Sequence, residues 1–427
     1  MVCSSVFRIC SIIKEESPMK IKKRKYVKFR HKLVYFLIRP FFRLYLKWKY
    51  NFTPIRYRPK VKGPHLILAN HALNLDPFFL AGSFRTPIYY VASEVIFSIK
   101  FASKVIRFLV APIPKSKSRS DLGTTKQILS IVKEGGWIGV YPEGNATTTG
   151  ETIHMPKGIS KLIKLLKIPV LFYRLKGGYL SNPRWGEGIR KGKTVGEVVR
   201  TWNPKEYKDL SEEEIFDVVS KELYVNAYND QANDPVLFKS KEPAHYLERV
   251  LFVCPKCLAV DKLYSVKDHV LCKSCSLEVQ LDNYGFFNDA VDGIKTVIDW
   301  DMWQKEKLPM LLKALPEEEP LFDSSIEHVR EHINEATKKY RKDFGYAKFT
   351  MTKRGFTLDF KDQTWMFAIE DILEVAMQDK YQLILYTKDG RTLMLKSDRR
   401  RSAYKHLVAF QWLRARLKNE SPEYLGL

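Results

Sequence analysis

Cysteine is scarce: six in 427 residues, too few and too unevenly placed for a disulfide-stapled fold. Cys3 and Cys10 lie near the start; the other four form two Cys-x-x-Cys pairs, Cys254/Cys257 and Cys272/Cys275. Paired thiols of this kind point to a reducing compartment and a metal. Acidic residues are missing altogether from Ser17 to Leu75, a stretch that carries 16 Lys and Arg. Long apolar runs are missing too. In the most apolar region, His31 to Tyr50, the longest run is Leu33 to Ile38. That is far below the roughly 18 residues that span a bilayer, so no transmembrane helix is expected. There is no internal repeat and no low-complexity tract. A secretory signal is not expected, because the run around Val6 to Ile13 is broken by Arg8 and lacks a basic start. Met19, which opens the basic segment, is the expected natural start.

Hydrophobic residues make up 45% and charged residues 28%, which excludes wholesale disorder and leaves room for several domains. The net charge is +24, and +16 of it sits between Ser17 and Leu75. Such an arm seeks a polyanion, either nucleic acid or an anionic membrane. After Arg39 and Pro40, the residues Phe41, Phe42, Leu44, Tyr45, Leu46, Trp48 and Tyr50 interleave with Arg43, Lys47 and Lys49. Rings at the acyl boundary with cations reaching phosphates fit a headgroup layer. The competing reading, a nucleic-acid-binding protein with a basic arm, does not account for the rings, so no nucleic acid is expected.

The predicted fold class is α/β: a sheet flanked by helices, followed by a zinc ribbon and a small antiparallel β domain with a terminal helix. Residues 1–30 read as a basic, disordered extension and 31–62 as an amphipathic membrane-surface segment. Residues 63–250 alternate strands and helices. The strands are His65–Ala69, Ile88–Ala92, Trp137–Tyr141 and Val170–Leu175, with helical spacing over Asp121–Val132 and Lys157–Leu166. Ser211 and Glu214 make a capping box. The ribbon covers 251–288, a helical connector 289–342, the β domain with its helix 343–418, and a tail 419–427. Within the β domain, Asp389-Gly390 signals a hairpin.

Three constellations carry chemistry. Asn70-His71-Ala72-Leu73-Asn74-Leu75-Asp76-Pro77 follows a strand. A histidine there can offer one ring nitrogen to a hydroxyl while a carboxylate takes the N–H of the other. Five residues apart, the pair meets only if the chain turns, with Asp76 as N-cap and Pro77 opening a helix. Tyr141-Pro142-Glu143-Gly144-Asn145 also follows a strand, a place for a substrate-binding carboxylate and close backbone approach. Ala111 to Arg119, with Lys115, Lys117 and Arg119, is a basic loop that could grip phosphate.

In this order the pieces resemble the phospholipid/glycerol acyltransferase family, which includes 1-acyl-glycerol-3-phosphate acyltransferases. Its Asn-His-x-x-x-x-Asp block is matched by Asn70, His71 and Asp76. Its Phe-Pro-Glu-Gly block is matched by Tyr141, Pro142, Glu143 and Gly144. Its Pro-flanked apolar strand resembles Ile168-Pro169-Val170-Leu171. The resemblance covers about residues 30–200. It implies His71 as general base, oriented by Asp76, with direct attack of an acceptor hydroxyl on an acyl thioester. It implies substrate binding by Asn70, Lys115, Glu143, Gly144 and Asn145. Two places depart from the family: Lys115 stands where Arg is usual, and Asn145-Ala146 replaces Thr-Arg. Lys117, Arg119 and Lys157 could compensate. The acceptor implied is a lysophosphatidate-like lysophospholipid, with glycerol-3-phosphate or another lysolipid as the alternative. The donor implied is acyl-CoA or acyl carrier protein. The expected location is the cytoplasmic face of a bacterial cell membrane, held peripherally by anionic lipids.

The four cysteines are expected to close a tetrahedral Zn²⁺ site with no open position, hence a structural metal. The segment resembles a zinc ribbon, and the strand-rich tail resembles a pleckstrin-homology-like domain.

Overall fold

The computed structural model describes residues 25–93, 112–115, 122–335, 338–397, 400–420 and 422. Helix α1, Phe29–Tyr50, stops where Asn51 turns left-handed and returns its N–H to the Leu46 carbonyl. It buries only His31, Leu46 and Tyr50 and leaves Phe36, Phe41, Leu44 and Trp48 exposed. Among the described residues no helix is long and apolar enough to cross a membrane.

The centre of the first sheet is built from short apolar runs buried on both faces, as in parallel sheets covered by helices. In chain order its strands are β1 (Phe52–Pro54), β2 (Leu66–Ala69), β3 (Ile88–Ser93), β4 (Ile113–Lys115), β5 (Trp137–Val140), β6 (Val170–Lys176) and β7 (Thr194–Trp202). Their order across the sheet is β1-β7-β6-β2-β5-β3-β4. Every pairing is parallel except β6 with β7. Helices α2 (Asp76–Ser83), α3 (Leu122–Lys133) and α4 (Gly158–Leu166) make the crossovers, and α5 (Glu212–Leu223) and α6 (Ala227–Asn233) follow. The capping box of α5 forms as read: the Ser211 hydroxyl accepts from Glu214 N–H, and the Glu214 carboxylate accepts from Ser211 N–H. At α2 the boundary differs by one residue. Asp76 is the first helical residue rather than the cap, because its carboxylate is turned back to the His71 loop instead of to its own helix.

The cysteine segment is a three-stranded antiparallel sheet of β8 (Leu263–Val266), β9 (His269–Cys272) and β10 (Glu278–Gln280). Helix α7, Val297–Ala314, comes next. The stretch 289–342, expected to be a helical connector, is helical only there. Ser325–Glu335 (β11) and Lys338–Met351 (β12) pair as an antiparallel hairpin. Ile326, Val329 and Ile333 stand three and four apart, which imitates a helix face. The strand instead leaves Ile326 exposed and buries Glu327 completely, 2.9 Å from Arg401. With β13 (Gly355–Asp359), β14 (Thr364–Ala368), β15 (Ile372–Gln378), β16 (Gln382–Thr387) and β17 (Thr392–Lys396), the hairpin completes a seven-stranded antiparallel sheet in the order β14-β13-β12-β11-β17-β16-β15. The terminal helix α8, Ala403–Lys418, buries most of its residues.

These parts are not beads on a string. One apolar cluster runs from Ile67 and Phe79 of the first domain through Val253 and Val270 of the cysteine segment to Leu395 and Trp412 at the end.

Candidate active site

Strands β2 and β5 lie side by side in parallel register, Leu66 opposite Ile138 and Leu68 opposite Val140. Their carboxyl ends therefore release two loops at the same edge of the sheet, the edge where open α/β sheets hold ligands. One loop carries His71 and the other Glu143.

The His71 loop turns tightly, with Asp76 N–H bonded to the Leu73 carbonyl. This brings the two side chains together: His71 Nδ1 lies 2.8 Å from Asp76 Oδ2. The same oxygen accepts from the N–H groups of Ala72 at 2.6 Å and Leu73 at 3.0 Å. Burial pushes the Asp76 carboxyl upward, and the His71 ring and these two amides oppose it. With Nδ1 engaged, Nε2 is the ring nitrogen available to take a proton. His71 is the more accessible partner, 17% exposed against 2% for Asp76.

Glu143 is buried and ties loops together instead of facing solvent. Oε1 accepts from His71 N–H at 2.7 Å and Oε2 from Ile153 N–H at 3.1 Å. Burial pushes its carboxyl up to about 8, against the pull of those two amides. Gly144 follows with φ +74, a left-handed turn that glycine adopts without a Cβ clash. The ring of Tyr141 lies 4.6 Å from that of His71 at 31°. Asn70 is occupied structurally: its side chain makes a reciprocal pair with the Leu175 backbone, at 2.8 and 3.3 Å, and clamps β2 to β6.

Asn70, His71 and Glu143 line a cavity of about 20 Å³ with Thr147, Tyr179 and Asp230, room for about one water. Gly150, φ +102, also lines it; a Cβ there would meet the Tyr179 ring at 2.7 Å. The last three side chains were not read from the sequence. Thr147 belongs to the Thr147-Thr148-Thr149 run after the Pro-Glu-Gly turn, a visible signal; Tyr179 and Asp230 carry no motif.

The other candidates stand apart. Asn145 is half-buried in the turn after Gly144. Lys115 ends edge strand β4, opposite Ser93, and its side chain lies outside the described residues, as do Lys117 and Arg119. Lys157 does not line the cavity; its ammonium is solvent-exposed, 3.9 Å from Glu213.

The four cysteines converge as expected. Cys254 and Cys275 sulfurs are 3.7 Å apart, Cys257 and Cys272 3.8 Å, and all four lie within 4.8 Å of one another. Four thiolates bound at about 2.3 Å in a tetrahedron would be separated by about 3.8 Å, so the donor set fits Zn²⁺.

A parallel-rich sheet thus carries a His–Asp pair and a buried glutamate at its carboxyl edge. Residues 49–173 match the family model described as Acyltransferase, which bears out the family resemblance for this part of the chain. The chain is 25% identical over 134 residues to a 1-acyl-sn-glycerol-3-phosphate acyltransferase of Borreliella burgdorferi, covering 30% of this chain and 53% of that one. It is 27% identical over 128 residues to one of Pseudomonas aeruginosa, covering 29% and 49%. The chain thus spans about half the length of the curated relatives it matches. The crystal structure of the Thermotoga maritima 1-acyl-sn-glycerophosphate acyltransferase, PlsC, aligns at 20% identity and a TM-score of 0.40, over 48% of this chain and 81% of that one.

Proposed function

We propose that this protein is a peripheral-membrane O-acyltransferase that moves a fatty acyl group from a thioester to the free hydroxyl of a lysophosphatidate-like lipid. The observation that carries the reading is the His71–Asp76 pair at 2.8 Å, beside Glu143 at the carboxyl edge of the sheet. His71 Nε2 takes the proton as the acceptor oxygen bonds to the thioester carbon. The carbon–sulfur bond breaks, and the imidazolium returns the proton to the departing thiolate. Asp76 holds the ring tautomer and stabilises the imidazolium. Glu143 acts by fixing the His71 backbone, and Asn70 by fixing the strand end behind it.

Lys115 and Asn145 contribute to acceptor binding, while the distance of Lys157 from the cavity argues for a place at the surface. Association with the membrane rests on α1, whose exposed rings alternate with cations. The four cysteines would hold a structural Zn²⁺, which would supply crosslinking and no reactive position. The antiparallel domain, read as pleckstrin-homology-like, docks on the acyltransferase domain.

The test is a panel of acceptors (lysophosphatidate, other lysophospholipids and glycerol-3-phosphate) against acyl-CoA and acyl-carrier-protein donors. Transfer to lysophosphatidate is expected. Transfer only to acceptors without phosphate would contradict the assignment.

A further inference from the structure

A second cavity lies at the opposite edge of the first sheet. It is walled by α1, by the segment after β1 and by the turn from α2 into β3, and it measures about 450 Å³. Trp137, the first residue of β5, lines it. Glu143 follows the other end of that strand, so the sheet separates this cavity from His71.

Its lining is unusual in charge. Arg39, Arg43, Arg56, Arg58 and Arg85 all contribute, and no carboxylate does. Among the described residues, none of the five has an acidic group within salt-bridge distance. Arg39 donates one guanidinium N–H to the Gly82 carbonyl at 3.0 Å, which caps the end of α2. Its buried Nε has no partner. Burial is the largest cause that disfavours the Arg39 charge; Tyr35 opposes it, and Arg43 and Arg85 add to it. Five cations converging without a counter-charge repel one another unless an anion joins them. The floor is aromatic: Phe84 meets Tyr57 and Trp137 edge-on, with ring centroids 6.3 and 5.7 Å apart.

Guanidinium forks select oxyanions with several acceptor atoms. We propose that this cavity binds a phosphate group, carried by an anionic phospholipid or by a soluble phosphate. A lipid source matches the setting, because α1 supplies Arg39 and Arg43 and also exposes Phe41, Leu44 and Trp48. The site does not depend on the acyl-transfer reading, since it shares no residue with the His71 cavity.

The test uses the full chain with Arg56→Ala/Arg85→Ala, both at exposed positions, so that Arg39 stays in its structural bond. Lys239→Ala/Lys241→Ala, also exposed, removes the same charge elsewhere, and thermal melting verifies the fold of each. Inorganic phosphate binding is measured by calorimetry. Flotation is measured with phosphatidylcholine vesicles with and without phosphatidate. The arginine variant is expected to lose affinity by about tenfold, while the lysine control loses less than about twofold. Arg56→Lys/Arg85→Lys should recover only part of the loss, because lysine keeps charge without the fork. Loss in both assays identifies a lipid headgroup; loss of inorganic phosphate binding alone identifies a soluble ligand. Equal behaviour of the arginine variant and the lysine control in both assays would overturn the proposal.

Discussion

At the scale of single residues, the site depends on a division of labour between two carboxyls. Asp76 faces the imidazole, whereas Glu143 faces backbone amides and holds the His71 loop to the Ile153 loop. Burial pushes both carboxyls upward. Burial raises Glu143 from its usual 4.5 to about 8. Between those values the folded protein keeps a proton that the unfolded chain has lost, so stability falls as pH rises through this window and the loss is complete above the folded value. Glu143→Gln cannot titrate. The melting temperature of the wild type should therefore decline relative to the variant as pH is raised from below 4.5 to above about 8; parallel curves would show that the carboxyl is not perturbed. The meeting of His71 and Asp76 was legible because a histidine and a carboxylate stand at a fixed spacing around a turn; Glu143 was expected to face substrate and faces backbone amides instead. The structural use of Asn70 was not legible, because its partner is the backbone of Leu175, 105 residues away, and a backbone partner leaves no mark in sequence.

At the scale of elements, β2, β3, β5 and β6 of the first sheet announced themselves through composition and the Cys-x-x-Cys pairs through spacing, whereas β1, β4 and β7, short or mixed in polarity, did not. Hairpin β11–β12 did not, since its apolar residues fall at helical intervals and its buried position holds Glu327, paired with Arg401 from the loop before α8. Only the fold brings that partner. The same holds for the docking of the last domain. Arg184 donates to the Ala146 carbonyl at 2.9 Å, just after the Glu143 turn, and to the carbonyls of Met377 and Asp379 at 3.0 Å each, where β15 turns into β16. It thus bridges the Glu143 loop and the antiparallel domain. Arg184→Ala should cost about 2 kcal/mol of stability and raise the acceptor KM more than it lowers kcat, with partial rescue by Arg184→Lys. An unchanged KM in both variants would make the contact purely structural. For the cysteine sheet, the expectation is about one zinc per chain by metal analysis, with chelation lowering the melting temperature. Protein with four free thiols, no metal and an unchanged melt would contradict it.

At the scale of the whole molecule, the excess charge is a local device. The +16 stretch feeds α1 and part of the arginine cavity, and α1 lies beside α2, whose first residue is Asp76. A membrane held by α1 would bring lipid to the domain that carries the His71 site. The continuous apolar cluster means that the cysteine sheet and the β domain share a core with the first domain. The proposed acyl transfer requires that His71 performs base catalysis on a lipid hydroxyl. The direct measurement is transfer of a labelled acyl group from a thioester to lysophosphatidate by purified wild type and His71→Ala, matched in melting temperature. A fall in kcat of at least about a hundredfold is predicted; near-normal transfer by the variant would contradict the account.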